Sequence, residues 1–128
     1  FLTTASTPDP AANVPASLRV AYSLNGVADE ELCYGPAAFP TKIETHVAVV
    51  VDNTAHTIAL YQDGALLSEC PLTRPLSAIE DVNDLLGHSN FSADPDLAGT
   101  YDEFRVYGAA LTADEIAASF AAGPDAKP

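Results

Sequence analysis

The sequence has few basic residues. Five Lys and Arg stand against 18 Asp and Glu, so the 128-residue chain carries a formal net charge of −13 at pH 7. This charge repels nucleic-acid phosphates and anionic lipid surfaces, and we expect no nucleic-acid partner. Long apolar runs are also missing, because the longest one, residues 47–51, has the size of a strand. The sequence therefore predicts no membrane span.

Signatures of catalysis are missing as well. No Gly-rich phosphate-binding loop, cofactor motif or nucleophile elbow occurs, and the three histidines are scattered along the chain. The adjacent acids Asp102 and Glu103 would point to opposite faces of a strand, so they cannot flank one glycosidic bond. The sequence therefore predicts a protein that is not an enzyme.

Only two cysteines are present, Cys33 and Cys70, and neither belongs to a CxxC pair. Their spacing lacks the pattern of a zinc site. One interpretation is a disulfide, which would close a loop of about 38 residues and stabilise the fold by about 4 kcal/mol in the chain-entropy model. A disulfide would fit an extracellular or periplasmic compartment. The alternative is two free buried thiols.

Short β-rich runs separated by turn residues follow one another from residue 18 onward. No helical period lies between them, and this order is typical of an antiparallel all-β fold. Asp63-Gly64 supplies the two positive φ angles of a type I′ turn and predicts a tight hairpin. Asn25-Gly26 and residues 52–56 are further predicted turns. The predicted strands are residues 18–24, 31–35, 43–52, 57–62, 65–70 and 99–108, with a short piece at 84–88 also able to pair.

Near the end of the sequence, the spacing of the apolar residues changes from that of strands to that of a helix. Thr112 and Glu115 have the spacing of a capping box, which predicts the start of a short helix. Gly123-Pro124 would end this helix, and the residues after it would form a tail. The apolar face of the helix would consist of Ala113, Ile116, Ala117 and Phe120.

Four stretches of the sequence resemble the motifs of laminin G-like domains, which have a concanavalin A-like β-sandwich fold. The family motifs are W-x-H-V-A-V-x-x-D, L-Y-x-D-G-x-L, G-x-I-D-E-V-R-I-Y and A-L-[ST]-x-x-E-I. The corresponding stretches here are residues 45–52, 60–66, 99–107 and 110–116. The resemblance covers residues 43–121 and implies an antiparallel jelly-roll sandwich with a short C-terminal helix.

This resemblance divides the chain into an extended arm at residues 1–16, a sandwich at 17–122 and a tail at 123–128. Glu44 stands where the family has Trp, and the opening strands of the family are not recognisable upstream. A sandwich without those strands would expose open edges, which favour pairing with another chain. A partner chain that completes the sheet is therefore a candidate partner.

The predicted strand at residues 99–108 carries the main candidates for ligand binding. Phe104 and Val106 would lie in the core, and the alternate residues would form a polar and aromatic face. The resemblance implies that this face could bind sugars, as sandwich lectins do, although the absence of Trp weakens that interpretation. Alternatively, the face packs against neighbouring strands. The candidate ligand-binding residues are Tyr101, Glu103, Arg105 and Tyr107, with His56 and Asn90 on loops.

Acidic residues near this strand are candidate metal ligands. The resemblance implies one calcium ion at the rim of the sandwich, held by carboxylate and carbonyl oxygens, which calcium prefers. The candidates are Asp94, Asp96 and Asp102, although their loop lacks EF-hand spacing. The alternative is a solvated acidic loop. Asn90 also begins the sequon Asn90-Phe91-Ser92, an acceptor for N-glycosylation where the compartment permits it.

Two functions of different classes follow from these observations. The first is a non-catalytic recognition or adhesion module, secreted or at the cell surface, that binds glycan or protein through its loops or concave face. The second is a structural subunit of an extracellular assembly, completed by a partner chain or strand. The fold alone does not choose between them.

Overall fold

The computed structural model describes residues 2–4, 17–80, 85–89 and 96–125. Within these residues, six strands form two antiparallel sheets, the first in the order β1-β2-β3 and the second in the order β4-β5-β6. The all-β prediction is confirmed. The elements are β1 (Leu2–Thr3), β2 (Ser17–Tyr22), β3 (Glu31–Ala38), β4 (Val47–Asp52), β5 (Thr57–Gln62), β6 (Ala65–Pro71) and the helix α1 (Ala113–Ala122), with 3-10 turns at Val27–Asp29 and Leu76–Ala78.

Part of the predicted arm is a strand. Leu2 pairs with Val20 and Thr3 pairs with Arg19, so β1 adds an edge to the first sheet. The rest of the arm, at residues 5–16, lies outside the described residues.

The central strand of the second sheet, β5, is buried on both faces. On one face, Ile58 belongs to the apolar cluster between the two sheets. On the other face, Ala59 and Tyr61 pack with Ile116 of α1. The second sheet therefore lies between the first sheet and the helix. Because both of its faces are buried, β5 has a run of apolar residues instead of alternating apolar and polar ones. The cluster between the sheets consists of Val20, Tyr22, Cys33, Ile58 and Leu72.

A disulfide between Cys33 and Cys70 joins the two sheets, because Cys33 lies on β3 and Cys70 lies on β6. Cys33 is fully buried among the apolar residues between the sheets. The Ser68 hydroxyl lies 3.4 Å from Cys33 Sγ and donates to it, since a bonded sulfur carries no proton. The predicted disulfide is confirmed, and the alternative of two free thiols is wrong.

The hairpin between β5 and β6 has the predicted tight turn. Asp63 has a φ of 50° and Gly64 a φ of 77°, and Gln62 pairs directly with Ala65 on the other side of the turn. The turn also lies against α1. A Cβ atom at residue 64 would be 3.0 Å from Phe120 Cδ1 and 3.3 Å from the Cα of the residue one turn earlier, Ala117. Gly64 is therefore required both by its φ angle and by this close approach.

The helix α1 begins and ends as the sequence predicts. The Thr112 hydroxyl accepts a hydrogen bond from the Glu115 N–H at 3.3 Å, and the Glu115 carboxylate accepts one from the Thr112 N–H at 2.7 Å. These reciprocal bonds form the capping box. Ile116 is buried against the second sheet, and the helix ends at Gly123, which has a φ of 82°. The predicted helix is confirmed.

The predicted strand at residues 99–108 is wrong. No strand of the described residues pairs with this stretch, and Phe104 and Val106, predicted to be in the core, are 66% and 82% exposed. A strand forms where a neighbour accepts its backbone hydrogen bonds, and none of the described segments does so here. Residues 85–88 also form no strand, and Asp84 lies outside the described residues.

We expect Gly64→Ala to lower the free energy of unfolding by about 1–3 kcal/mol, because a Cβ is disfavoured at positive φ and would contact α1. Urea denaturation followed by circular dichroism gives this free energy. Gly108→Ala is the matched control, because nothing lies within 4 Å of a Cβ atom at residue 108. Equal stabilities of the two variants would contradict the packing of the hairpin against α1.

Candidate functional site

Residues 99–107, called the 99–107 segment below, lie outside the sheets, and all of them except Arg105 are exposed. The side chains of Glu103 and Arg105 are partly covered, whereas Phe104 and Val106 face solvent. No non-glycine residue of the segment is among the described residues with positive φ. The chain bends at Gly99 and Asp102, within the first half of the segment. Phe104 and Val106, predicted to lie in the core, therefore form the outward face of the segment, whereas the polar side chains of Glu103 and Arg105 are more covered.

Arg105 connects the segment to the end of α1 through hydrogen bonds. Its Nε donates to the Glu103 carboxylate, its Nη1 donates to Ser119 Oγ at 3.3 Å, and its Nη2 donates to the Pro124 carbonyl at 2.8 Å. The hydrogen bonds that it donates to Glu103 and Tyr107 raise the pKa of the guanidinium above its ordinary value. Glu103, Arg105 and Tyr107, predicted as ligand-binding residues, are thus brought together, and Arg105 has a structural role.

Tyr101, the fourth predicted residue of this face, contacts a different part of the chain. A Cβ atom at Gly87 would lie 3.8 Å from Tyr101 Cε2 and 3.9 Å from Leu97 Cβ. The Leu97 N–H donates to the Gly87 carbonyl at 2.8 Å. Residues 85–89 therefore pack against the start of the segment and hold the Tyr101 ring beside them.

The predicted metal ligands are not gathered into a cluster in the described residues. Asp96 Oδ1 lies 2.6 Å from His88 Nδ1, and both side chains are exposed. Asp102 is exposed, and Asp94 lies outside the described residues, as does the predicted ligand-binding residue Asn90. No group of three or more His, Cys, Asp or Glu side chains in the described ranges could hold a metal. Calcium binding stays a prediction.

His56, the remaining predicted ligand-binding residue, lies in the turn between β4 and β5. Its φ is 58°, and its carbonyl accepts a hydrogen bond from the Leu72 N–H at 2.8 Å. Asp52 at the start of this turn accepts hydrogen bonds from the N–H groups of Ala55 and Thr54 at 2.9 and 2.7 Å. These bonds lower the pKa of Asp52. The turn is therefore held by its own hydrogen bonds and is bonded to the loop that follows β6.

The loop after β6 holds a charged network that sequence reasoning missed. Arg74 forms an ion pair with Asp29 and donates to the Asp29 carbonyl at 2.7 Å. Its Nη1 also lies 3.8 Å from the Glu31 carboxylate, which accepts a hydrogen bond from the Thr73 N–H at 2.9 Å. The partners are more than 40 residues apart in sequence, so no local pattern identifies them. The only signal was an arginine in one loop and acids at the end of another loop and the start of the strand that follows it.

The environment of Glu31 favours its charged form. Burial by itself would raise the pKa of Glu31, but the Thr73 hydroxyl and N–H and the Arg74 charge lower it by more, so the pKa lies below its ordinary value. A carboxyl group whose pKa is lowered in the folded state stabilises the fold at pH values above the pKa that it has in the unfolded state. This stabilisation is lost as the pH falls through the pKa of the folded state.

We expect Glu31→Gln to lower the free energy of unfolding at pH 7, because the charged acceptor of Thr73 and Arg74 is removed. The difference from the unchanged protein should shrink below about pH 4, where the carboxyl group becomes protonated. Urea denaturation at pH 7 and at lower pH measures both effects. Glu44→Gln, at an exposed residue, is the control and should change little. A difference that stays constant with pH would contradict the role of the charge.

A family model and a solved structure are similar to this chain. The laminin G-type model of the concanavalin A-like lectin/glucanases superfamily matches residues 10–117. A crystal structure of an S-layer domain-containing protein (residues 221-444) from Clostridium thermocellum ATCC 27405 is 26% identical, with a TM-score of 0.49. The alignment covers 81% of this chain and 52% of that one, so the chain spans about half the length of this structure. No curated protein matches the chain.

The family match extends over most of the 128 residues and includes the four motif stretches that carry the resemblance. The two three-stranded sheets with one short helix are consistent with a concanavalin A-like sandwich. The predicted family and fold class are confirmed. The chain belongs to the concanavalin A-like lectin/glucanases superfamily.

Proposed function

We propose that this protein is a non-catalytic extracellular recognition module that binds a protein partner through the outward face of the 99–107 segment. The observation that carries the proposal is the exposure of Phe104 and Val106 on a segment that Arg105 holds in place. Exposed apolar side chains on an ordered support are typical of protein-binding surfaces. Membership of a superfamily named for both lectins and glucanases does not by itself decide the function.

The arrangement of the acids supports a function without catalysis. A glycosidase needs two carboxyl groups on either side of the scissile bond, one of them protonated. Glu103 is paired with Arg105, so its carboxylate already has a partner within the segment. Its neighbour Asp102 is exposed at a bend of the chain. These two residues are therefore poor candidates for a catalytic pair.

The extracellular location is supported by the disulfide. Disulfides persist in secreted and cell-surface proteins and are rare in reducing compartments, and Cys33 and Cys70 form one here. Among the helices of the described residues, none is long and apolar enough to cross a membrane.

A glycan is the alternative ligand. The predicted sugar-binding face contains Tyr101, Glu103, Arg105 and Tyr107. The Arg105 donors are already bound to Glu103, Ser119 and Pro124, which leaves this face less able to bind sugar hydroxyls. The outward face is apolar and fits a protein better. Loop residues His56 and Asn90 stay predicted contacts for either ligand.

A structural subunit is the second candidate function, and the open edge of β4 favours it. In the described ranges no strand pairs with the outer edge of β4, since the sheet order is β4-β5-β6. This edge carries the run Val47–Asp52 with no Lys or Pro to block pairing. A monodisperse 13.3 kDa monomer in light scattering would argue against this function.

We expect the protein to bind at least one member of a panel of purified matrix and cell-surface proteins, and Phe104→Ser to weaken that binding about tenfold or more. Ile43→Ser is the matched control, because Ile43 is also 66% exposed and lies outside the 99–107 segment. Binding to a glycan panel that is unaffected by Phe104→Ser would favour the glycan alternative. Failure on both panels would overturn the recognition function.

Calcium binding stays a prediction, with Asp96 and Asp102 as the described candidates and Asp94 as the third. We expect the melting temperature to rise in calcium relative to a chelator, and Asp102→Asn to reduce this rise, because a bound ion stabilises the folded state. Differential scanning calorimetry measures the melting temperature in each condition. Asp114→Asn, at the start of α1, is the control for the loss of one charge. An unchanged melting temperature would count against a stabilising site.

A further inference from the structure

We propose that the peptide bond between Lys42 and Ile43 is a site of limited proteolysis by a trypsin-like protease, and that the disulfide keeps the two products joined. Water is the second reactant. The bond is hydrolysed, so Lys42 gains a carboxylate and Ile43 gains a protonated amino group. The products are residues 1–42 and 43–128. This modification is independent of the proposed recognition function.

The bond lies in an exposed loop. Residues 39–46, called the 39–46 loop below, connect β3 to β4. Residues 41–44 are all exposed. In the described ranges, no backbone hydrogen bond outside the helices and strands involves residues 39–45, although the Thr45 hydroxyl donates to the Ile43 carbonyl at 3.4 Å. Exposed loops with few backbone bonds open at a low cost in free energy and are preferred sites of proteolysis.

The backbone conformation of Lys42 also favours opening of the loop. Its φ is 65°, in the left-handed region that is sterically disfavoured for a residue with a Cβ atom. A protease pairs with its substrate as an extended peptide, so the loop has to change conformation around Lys42 before the bond is cut. This change relieves the disfavoured φ angle and breaks no backbone hydrogen bond of residues 39–45.

The other four basic residues are poorer sites for the same protease. Arg74 and Lys127 are each followed by proline, whose ring replaces the N–H of the bond and blocks cleavage. Arg19 lies in β2, which pairs with a strand on each side. A trypsin-like protease takes the basic side chain into an acidic pocket, and Arg105 would first have to break its bonds to the end of α1.

The side chain of Lys42 has no such contacts to break. In the part of the chain that the structure describes, no carboxylate forms an ion pair with it. Its ammonium group is exposed with the rest of the residue. Lys42 is therefore the basic residue that a protease pocket can take up with the least disturbance of the fold.

The cut would fall between the two sheets. Residues 1–42 contain β1, β2 and β3, and residues 43–128 contain β4, β5, β6 and α1. Each sheet therefore stays whole. Cys33 belongs to the first product and Cys70 to the second, so the disulfide links the two products covalently.

Other contacts also hold the two products together. The apolar cluster between the sheets contains residues of both. The Tyr22 hydroxyl donates to the Pro75 carbonyl at 2.7 Å, and Arg74 pairs with Asp29. The cut protein should therefore stay folded while the disulfide is intact. After reduction, the association of the products depends on concentration, because no covalent bond joins them.

The test treats the folded, oxidised protein with a limiting amount of trypsin and follows the intact mass. We expect one first cut, which adds the mass of one water and releases no fragment until a reductant separates residues 1–42 from 43–128. Circular dichroism of the cut, oxidised protein should keep the spectrum of the uncut protein. The reduced, unfolded protein is the positive control, because trypsin should then also cut after Arg19 and Arg105.

Two variants identify the bond. Lys42→Gln should slow the first cut about tenfold or more, because the side chain that enters the pocket is lost. Lys42→Arg is the matched control and should be cut by trypsin as the unchanged protein is. It should also become a substrate for an arginine-specific protease, which should leave the folded, unchanged protein intact.

Several results would overturn the inference. A first cut after Arg19 or Arg105 in the folded protein, or an equal rate for Lys42→Gln, would mean that the 39–46 loop is not the preferred site. No cut under conditions that digest the unfolded protein would mean that this loop does not open. Products that separate without a reductant would contradict their covalent link.

Discussion

The covalent bond between Cys33 and Cys70 is the constraint on which the rest of the structure depends. It joins β3 of the first sheet to β6 of the second at the centre of the apolar cluster between them. A domain of this size buries a modest core. A cross-link between its two sheets reduces the conformational freedom of the unfolded chain and holds the two sheets together in the folded state. The loop after β6 then ties the same two sheets together through Tyr22, whose hydroxyl donates to the Pro75 carbonyl at 2.7 Å, and through the pair of Arg74 with Asp29.

The second sheet connects this constraint to the candidate recognition site. Because β5 is covered by the first sheet on one face and by α1 on the other, the helix is fixed relative to the disulfide. Arg105 in turn fixes the 99–107 segment to the helix through Ser119. An uninterrupted series of packed elements therefore leads from the buried cross-link to the exposed Phe104. This is how a segment outside both sheets is held in position with its apolar face toward solvent.

Features that depend on local sequence were predictable, and features that depend on distant neighbours were not. The Asp63-Gly64 turn and the Thr112 capping box are set by a few adjacent residues, and the structure contains both. The family motifs identified the fold, which the family match confirms. The strand predicted for residues 99–108 is not formed in the structure. Which residues of this stretch are covered depends on what packs against it, and a strand pattern carries no information about that.

The charged network around Arg74 was missed for the same reason. Its partners are Asp29, in the loop between β2 and β3, and Glu31, at the start of β3, and they meet Arg74 only when the two sheets pack. The residues that the sequence predicted to bind a ligand are an intermediate case between the local features and the distant contacts. Glu103 and Arg105 were expected to be close enough to pair, and they form an ion pair, but their contact with the end of α1 needed the structure. Their predicted role in binding a ligand stays a prediction.

Backbone hydrogen exchange of the oxidised protein, followed residue by residue by NMR, tests the central claim that a cross-linked sandwich presents residues 100–104 outside the hydrogen-bonded sheets of the described residues. The account predicts slow exchange for amides of β5, such as Ile58 and Leu60, and exchange near the unprotected rate for amides between Thr100 and Phe104. Protection of the 99–107 segment equal to that of β5 would contradict it, because those amides would then already be paired within the free protein.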